Sequence, residues 1–256
     1  MEENYINGFD YSGEIQQIIV ITDGKSNMGI SPIDAARKAN RMGMVVSVIA
    51  IIDRDGSEGE KDIEEVEGIA KAGGGLCDYT HIENLGMTMH VMTQKTAQKT
   101  IEQIVSRQLK SIIGVDMNSL EPKSRFKIVD FIEKYGESIN LKCVIVLDTS
   151  GSMKNKLATA KKSLLELLDS LKCRKGNSSI AVVTYPGEKD FFCSACCNFT
   201  GDHELLKNRL DSIRTGGGTP TGPAIEKACE LMLMNGVEEA VLPAEQAGSG
   251  VAQYYV

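Results

Sequence analysis

Val144-Ile145-Val146-Leu147-Asp148-Thr149-Ser150-Gly151-Ser152-Met153 is the stretch on which the reading of this chain turns. Its apolar run reads as a strand buried on both faces, as in a parallel sheet. The run ends in a carboxylate, and serine hydroxyls follow at alternate positions. The C-terminal edge of an open α/β sheet is where such folds hold their ligands. Asp148, Ser150 and Ser152 offer oxygen atoms only, the donor set of a hard divalent cation such as Mg²⁺.

The same pattern of apolar strands and amphipathic helices extends on both sides. Upstream, Ile18 to Thr22 is an apolar strand ending at Asp23-Gly24. Ser31-Pro32-Ile33-Asp34 then starts a helix, with Ser as N-cap, Pro at the first helical position and Asp near the positive end of the dipole. That helix stops at Gly43. Met44 to Ile52 is a second strand, rich in β-branched residues, and an acidic loop, Asp53 to Asp62, follows. Ile63, Val66, Ile69 and Ala70 mark a helix ending at Gly73-Gly74-Gly75, and Cys77 to Ile82 reads as a short strand. In the middle, Ile101, Ile104, Val105, Leu109 and Ile112 repeat at helical spacing. Past Gly114 to Pro122, so do Ile128, Val129, Phe131, Ile132 and Tyr135; both stretches are expected to be surface-packed covering helices.

Downstream of Asp148, Leu157, Leu164, Leu165, Leu168 and Leu171 line a helix. Ser179 to Tyr185 is a strand, and Phe191 to Thr200 is expected to return antiparallel through the Pro186-Gly187 turn. A helix over Glu204 to Ile213 leads to the Gly-rich loop Gly216 to Pro223, then to a helix over Ala224 to Met234. Glu238 to Val256 has no periodicity and reads as a tail. Alternating βαβ units predict an α/β fold, a doubly wound, mostly parallel Rossmann-like sheet with one antiparallel edge strand and extra covering helices.

The chain has 256 residues and a net charge of −7, with no Trp. It is long enough for a sizeable core. The acidic balance argues against nucleic-acid binding, which needs Lys and Arg against phosphates. No apolar run approaches the roughly 20 residues of a membrane span, and the polar, acidic start does not read as a signal peptide. The seven cysteines are read as reduced thiols of a cytoplasmic protein. Cys193, Cys196 and Cys197 form a CxxCC cluster in a strand-like run. They are read as core or edge-strand thiols, with a metal or redox site as the alternative. The acidic loop lacks the spacing of an EF-hand and is read as solvated, with a second cation site or a basic partner as the alternative.

Three elements together carry a family resemblance. Asp148-Thr149-Ser150-Gly151-Ser152 resembles the DxSxS element of von Willebrand factor A (vWA) domains. Thr219, in Gly217-Gly218-Thr219-Pro220-Thr221-Gly222, resembles their second element, and Asp23-Gly24 at a strand end resembles their third. In that family these loops form a metal-ion-dependent adhesion site. The resemblance implies a site of Asp148, Ser150, Ser152, Thr219 and Asp23 holding Mg²⁺, with Mn²⁺ or Ca²⁺ as substitutes. The two serines would bind directly, Thr219 directly or through water, and the two aspartates mainly through water. The remaining position would take an Asp or Glu carboxylate of an unidentified protein partner.

The order of the elements departs from the family, in which DxSxS comes first and the Asp-Gly loop last. The chain therefore resembles a circularly permuted vWA domain, similar to stand-alone proteins of spore-forming Firmicutes that are often encoded beside a Ser/Thr kinase. Residues 14–82 would be the later half of the domain, 142–236 the earlier half, and 83–141 a helical connector, with an arm over 1–13 and a tail over 237–256. Permutation is physically reasonable because domain termini often lie close together. A monomer is expected, and a dimer exchanging halves is the alternative.

Two other functions compete with metal-dependent protein binding. The resemblance also admits a partner subunit of an AAA+ ATPase or chelatase-type machine. A phosphatase of the haloacid dehalogenase type would need a second Asp two residues after Asp148, where Ser150 stands, so the general acid is missing. No other catalytic signature can be assembled, and the chain is not expected to be an enzyme.

Overall fold

The computed structural model of the chain describes residues 13–53, 60–114, 117–187 and 191–234. The predicted arm and tail, and the acidic loop beyond Asp53 and before Glu60, lie outside the described residues. In chain order the elements are β1 Glu14–Thr22, α1 Pro32–Arg41, β2 Val45–Ile51, α2 Glu60–Ala72, β3 Gly74–Thr80, α3 Leu85–Ile113, α4 Pro122–Ser138 and β4 Asn140–Asp148. They continue with α5 Leu157–Lys172, β5 Ser178–Tyr185, β6 Ser194–Thr200, α6 His203–Asp211 and α7 Thr221–Leu233. Six strands form one sheet in the order β3-β2-β1-β4-β5-β6. All neighbours are parallel except the β5–β6 edge pair, so the predicted sheet is the observed one.

The central strands are buried on both faces, as their unbroken apolar runs require. Their alternate side chains feed two cores. Ile19, Ile21, Ile145 and Leu147 pack with α3, α5 and α6. Ile18, Val20, Val144 and Val146 pack with the small faces of α1, α2 and α7, such as Ala35, Ala36, Ala39, Ala224 and Ala228. Ser31 caps α1 as predicted, its hydroxyl accepting the Asp34 N–H at 3.3 Å. After β1 the chain winds outward through α1 to β2, and after β4 it winds the other way through α5 to β5. The β1–β4 junction is thus the topological switch point, where a crevice forms outside the strand ends.

Most elements shift from their predicted bounds by a few residues: β1 begins at Glu14 and not Ile18, β6 at Ser194 and not Phe191, and Glu60 to Asp62 of the predicted acidic loop open α2. For two elements the difference has a clear physical reason. β3 begins at Gly74, within the run expected to end a helix. It runs so close to β2 that a Cβ on Gly75 would sit 2.2 Å from the Val46 carbonyl oxygen, and only glycine fits there. α3 begins at Leu85 rather than near Ile101. Its first half is core and not surface cover: Leu85, Met89, Met92, Ala97, Ile101 and Val105 are buried against the sheet and α5. Met and Thr fill that face, including a Thr96 hydroxyl 3.2 Å from that of Ser47, so aliphatic periodicity alone missed it. α4 packs on α3 as a cover. Among the described residues no helix is long and apolar enough to cross a membrane.

Candidate metal centre

The register that pairs Ile21 with Leu147 brings the ends of β1 and β4 side by side. Asp148 is fully buried there. Its Oδ1 accepts the Ser150 backbone N–H at 2.8 Å, and its Oδ2 lies 2.9 Å from the Thr22 hydroxyl. That hydroxyl is also 2.8 Å from the Gly24 carbonyl oxygen, so one proton faces two acceptors. Burial pushes the Asp148 carboxyl up to about 6; the Asp23 charge adds to the rise, while hydrogen bonds from Ser150 and Thr22 oppose it. A buried carboxylate held in this way is stabilised by any cation placed next to it.

The serines extend the site outward. The Ser150 and Ser152 hydroxyls lie 3.0 Å apart, and Ser152 donates to Asp23 Oδ1 at 2.7 Å. Asp23 and Ser152 are 129 positions apart in sequence. Thr219 is fixed through its backbone: its N–H donates to Asn27 Oδ1 at 2.8 Å, and its carbonyl accepts the Asn27 N–H and the Ser26 hydroxyl, each at 3.1 Å. The Gly216 N–H donates to the Thr149 carbonyl at 2.9 Å, and the Thr149 N–H donates to that of Tyr185 at 2.7 Å. The structure therefore links Asp148, Ser150, Ser152 and Asp23 in one hydrogen-bonded chain and straps the Thr219 loop to the loops on either side.

Among the described residues no three His, Cys, Asp or Glu side chains converge as a metal-holding group. A cation here must be held by hydroxyls together with the two aspartates, and an all-oxygen set of mixed charge suits a hard cation that keeps several waters. The CxxCC thiols do not converge. Cys197 is buried in the core beside α6, whereas Cys193 packs toward α7 and donates to the Pro223 carbonyl. Burial raises both thiols, so neither is a ready thiolate.

Sequence reasoning missed Lys156. Only 8 % exposed, it donates to Asp23 Oδ2 at 2.8 Å and reaches Asp53 Oδ1 at 2.8 Å. Burial acts to lower its pKa, but hydrogen bonds to the two carboxylates outweigh it and the net shift is upward. It stands among Lys154, Lys161 and Lys162, and no spacing marks it out. Asp53, read as part of a solvated loop, is drawn to the site by this ammonium. Lys156→Met is expected to destabilise the metal-free protein by about 3 kcal/mol, because Asp23 keeps a buried charge without its partner. The rise in melting temperature on adding Mg²⁺ should be larger in this variant than in wild type, since the cation then supplies the missing charge. Thermal denaturation with and without Mg²⁺ measures both, and an equal or smaller rise refutes the account.

Similarity to known proteins identifies the family. The chain is 38% identical to an uncharacterized protein from Alicyclobacillus acidocaldarius of solved structure, covering 86% of this chain and 94% of that one with a TM-score of 0.79. It is 37% identical over 219 residues to the uncharacterized protein YabS of Bacillus subtilis (strain 168), 85% of this chain and 89% of that protein. Residues 143–242 match the von Willebrand factor type A domain. The chain belongs to the von Willebrand factor type A family. vWA domains commonly bind a divalent metal and mediate protein interactions. The match begins at Cys143, one residue before the apolar run that leads to Asp148.

Proposed function

We propose that this vWA chain is a cytoplasmic, metal-dependent protein-binding module whose cation engages an Asp or Glu carboxylate of a partner. The observation that carries the reading is the hydrogen-bonded chain from Ser150 through Ser152 to Asp23. With the Ser150 N–H bond to Asp148, it joins four of the five residues that the family pattern would require around one ion, all but Thr219. Ser150 and Ser152 would give neutral oxygens to Mg²⁺, and Thr219 would complete that set directly or through water. Asp148 and Asp23 would balance charge from the outer side. When bound, the cation supplies an electron-poor position that attracts an external carboxylate. Setting the chain beside a Ser/Thr kinase in a signalling role belongs to the same proposal.

We also read the chain as a circular permutant. β1 and β4 are adjacent and parallel, and the family match opens near the start of the apolar run ending at Asp148, both as expected for halves 14–82 and 142–236 joined through 83–141. A catalytic role for Asp148 is disfavoured in this reading, since its two oxygens face Ser150 and Thr22 rather than solvent.

Isothermal titration calorimetry with Mg²⁺ tests the site. Ser150→Ala is expected to weaken binding at least about tenfold while circular dichroism stays unchanged; unaltered affinity would falsify the assignment. Binding should also depend on pH. The Asp148 carboxyl titrates near pH 6 without metal, and the cation must displace that proton. Affinity should therefore be flat above about pH 7 and fall by up to about tenfold per pH unit below pH 6. A profile flat down to pH 5 would refute the role of Asp148. Sedimentation of the purified protein checks that it is a monomer and not a half-exchanged dimer.

A further inference from the structure

A cavity of about 850 Å³ opens beside the metal loops. Thr149, Gly216, Gly217 and Gly218 form part of its lining, and they are the neighbours of Asp148, Ser150 and Thr219. None of the five site residues lines the cavity itself, but through these chain neighbours it adjoins the candidate metal centre. Its apolar wall is unusual for a protein surface: Phe191 is 71% exposed, and Phe192 and Met28 are each 48% exposed. Exposed large apolar side chains that line one cavity mark a contact surface.

Among the described residues the polar wall carries one sign of charge. Arg209 and Arg214 line the cavity, both exposed, and among the described residues neither forms an ion pair with a carboxylate. Arg214 is steadied by the Asp211 and Ile213 carbonyls at 2.9 and 3.3 Å, which leaves most of its donors free. No Asp or Glu is among the described lining residues, on a chain whose net charge is −7. Exposed Lys25 and Lys154, on the Asp23 and Ser150 loops, add positive charge beside the centre. Guanidinium pairs next to aromatic faces are suited to carboxylates flanking an apolar side chain.

We propose that this cavity is the second half of the partner site and that the partner presents a linear acidic peptide segment. One carboxylate of the segment takes the cation position. An apolar or aromatic side chain covers Phe191, Phe192 and Met28, and a second carboxylate meets Arg209 and Arg214. The proposal rests on the metal-dependent reading of the centre, and it makes the site selective for two-point acidic sequences rather than for any carboxylate.

The test pans a random peptide display library on the immobilised full chain in Mn²⁺. Recovered peptides are then synthesised and their affinity measured by fluorescence polarisation. Peptides with two acidic residues flanking an apolar one are expected. Arg209→Glu with Arg214→Glu should weaken them at least about tenfold, and Arg209→Lys with Arg214→Lys should retain most of the binding. EDTA should weaken them by a similar factor. Circular dichroism checks that both double variants fold. Binding that EDTA abolishes but charge reversal leaves intact keeps the metal reading and overturns the cavity proposal. Binding that charge reversal abolishes but EDTA and Asp148→Asn leave intact overturns the metal reading and with it the two-point anchor. Recovery of basic or purely apolar peptides, or of none, overturns the proposal.

Discussion

Asp148→Asn is expected to abolish tight divalent-cation binding and to raise the stability of the metal-free protein at pH 7.5. The sign follows from the carboxyl, which titrates near 6 in the fold and near 3.9 in an unfolded chain. Between those values the folded state holds a proton that the unfolded state has released. The stability this group contributes is complete below about pH 4 and is lost as pH rises through about 6. At neutral pH the ionised, buried carboxylate leaves the metal-free fold roughly 3 kcal/mol below that limit, because each tenfold difference in proton affinity between the two states is worth about 1.4 kcal/mol. Asparagine is neutral throughout. Its Nδ2 can donate to the Thr22 hydroxyl, freeing that proton for the Gly24 carbonyl, while its Oδ1 keeps the Ser150 N–H. A gain of about 2 kcal/mol, several degrees in melting temperature, is expected in EDTA at pH 7.5. The difference from wild type should vanish near pH 4. With Mg²⁺ present, the order of stabilities should reverse or close, because only wild type gains from the ion. An asparagine variant that is less stable in EDTA, or that binds Mg²⁺ as wild type does, would contradict this picture of the site.

The second large effect needs no metal ligand to be touched. Gly222 lies in the first turn of α7, where alanine ordinarily stabilises a helix by up to about 1 kcal/mol. Here a Cβ would sit 2.1 Å from the Ile30 carbonyl oxygen and 2.9 Å from its carbon. Both are backbone atoms and cannot rotate away. Gly222→Ala must push the loop between β1 and α1 off the start of α7, and overpacking of this kind costs about 1–3 kcal/mol. The displaced loop carries Asp23, Ser26 and Asn27, and the last two hold the Thr219 backbone. A net loss of about 2 kcal/mol and at least a tenfold drop in Mg²⁺ affinity are expected together. Gly201→Ala is the control, because a Cβ there meets only the Ser178 carbonyl oxygen at 3.8 Å, an ordinary contact, and Gly201 follows Thr200, which pairs near the start of β5, away from the metal loops at its end. Denaturant melts and calorimetry on both variants decide it: a Gly222→Ala protein as stable as the control shows that the loop has room to move.

The strands around the site were legible because a parallel strand buried on both faces has to be apolar throughout. Ile18 to Thr22 and Val144 to Leu147 allow hardly any other reading, and each delivers its aspartate to the same sheet edge. The hydroxyl spacing after Asp148 was legible for a local reason, since adjacent loop residues stay together in any fold. α3 from Leu85 to Ile101 was not legible, because a face of Met, Thr and Ala is apolar only when placed against the sheet. Lys156 and Asp53 escaped because an ion pair spanning 103 positions leaves no trace in spacing, and each residue alone looks like a solvated charge. The arginine and phenylalanine wall of the cavity is scattered over β6, α6 and the loops around them, and only packing gathers it. The sequence by itself determined a doubly wound sheet and two aspartates at the ends of buried strands, because periodicity and short-range geometry are properties of neighbouring residues. That Asp23 meets Ser152, that a lysine already sits between the acids, and that a basic, aromatic cavity adjoins them were decided only by tertiary structure, because distances across strands depend on register and order in the sheet.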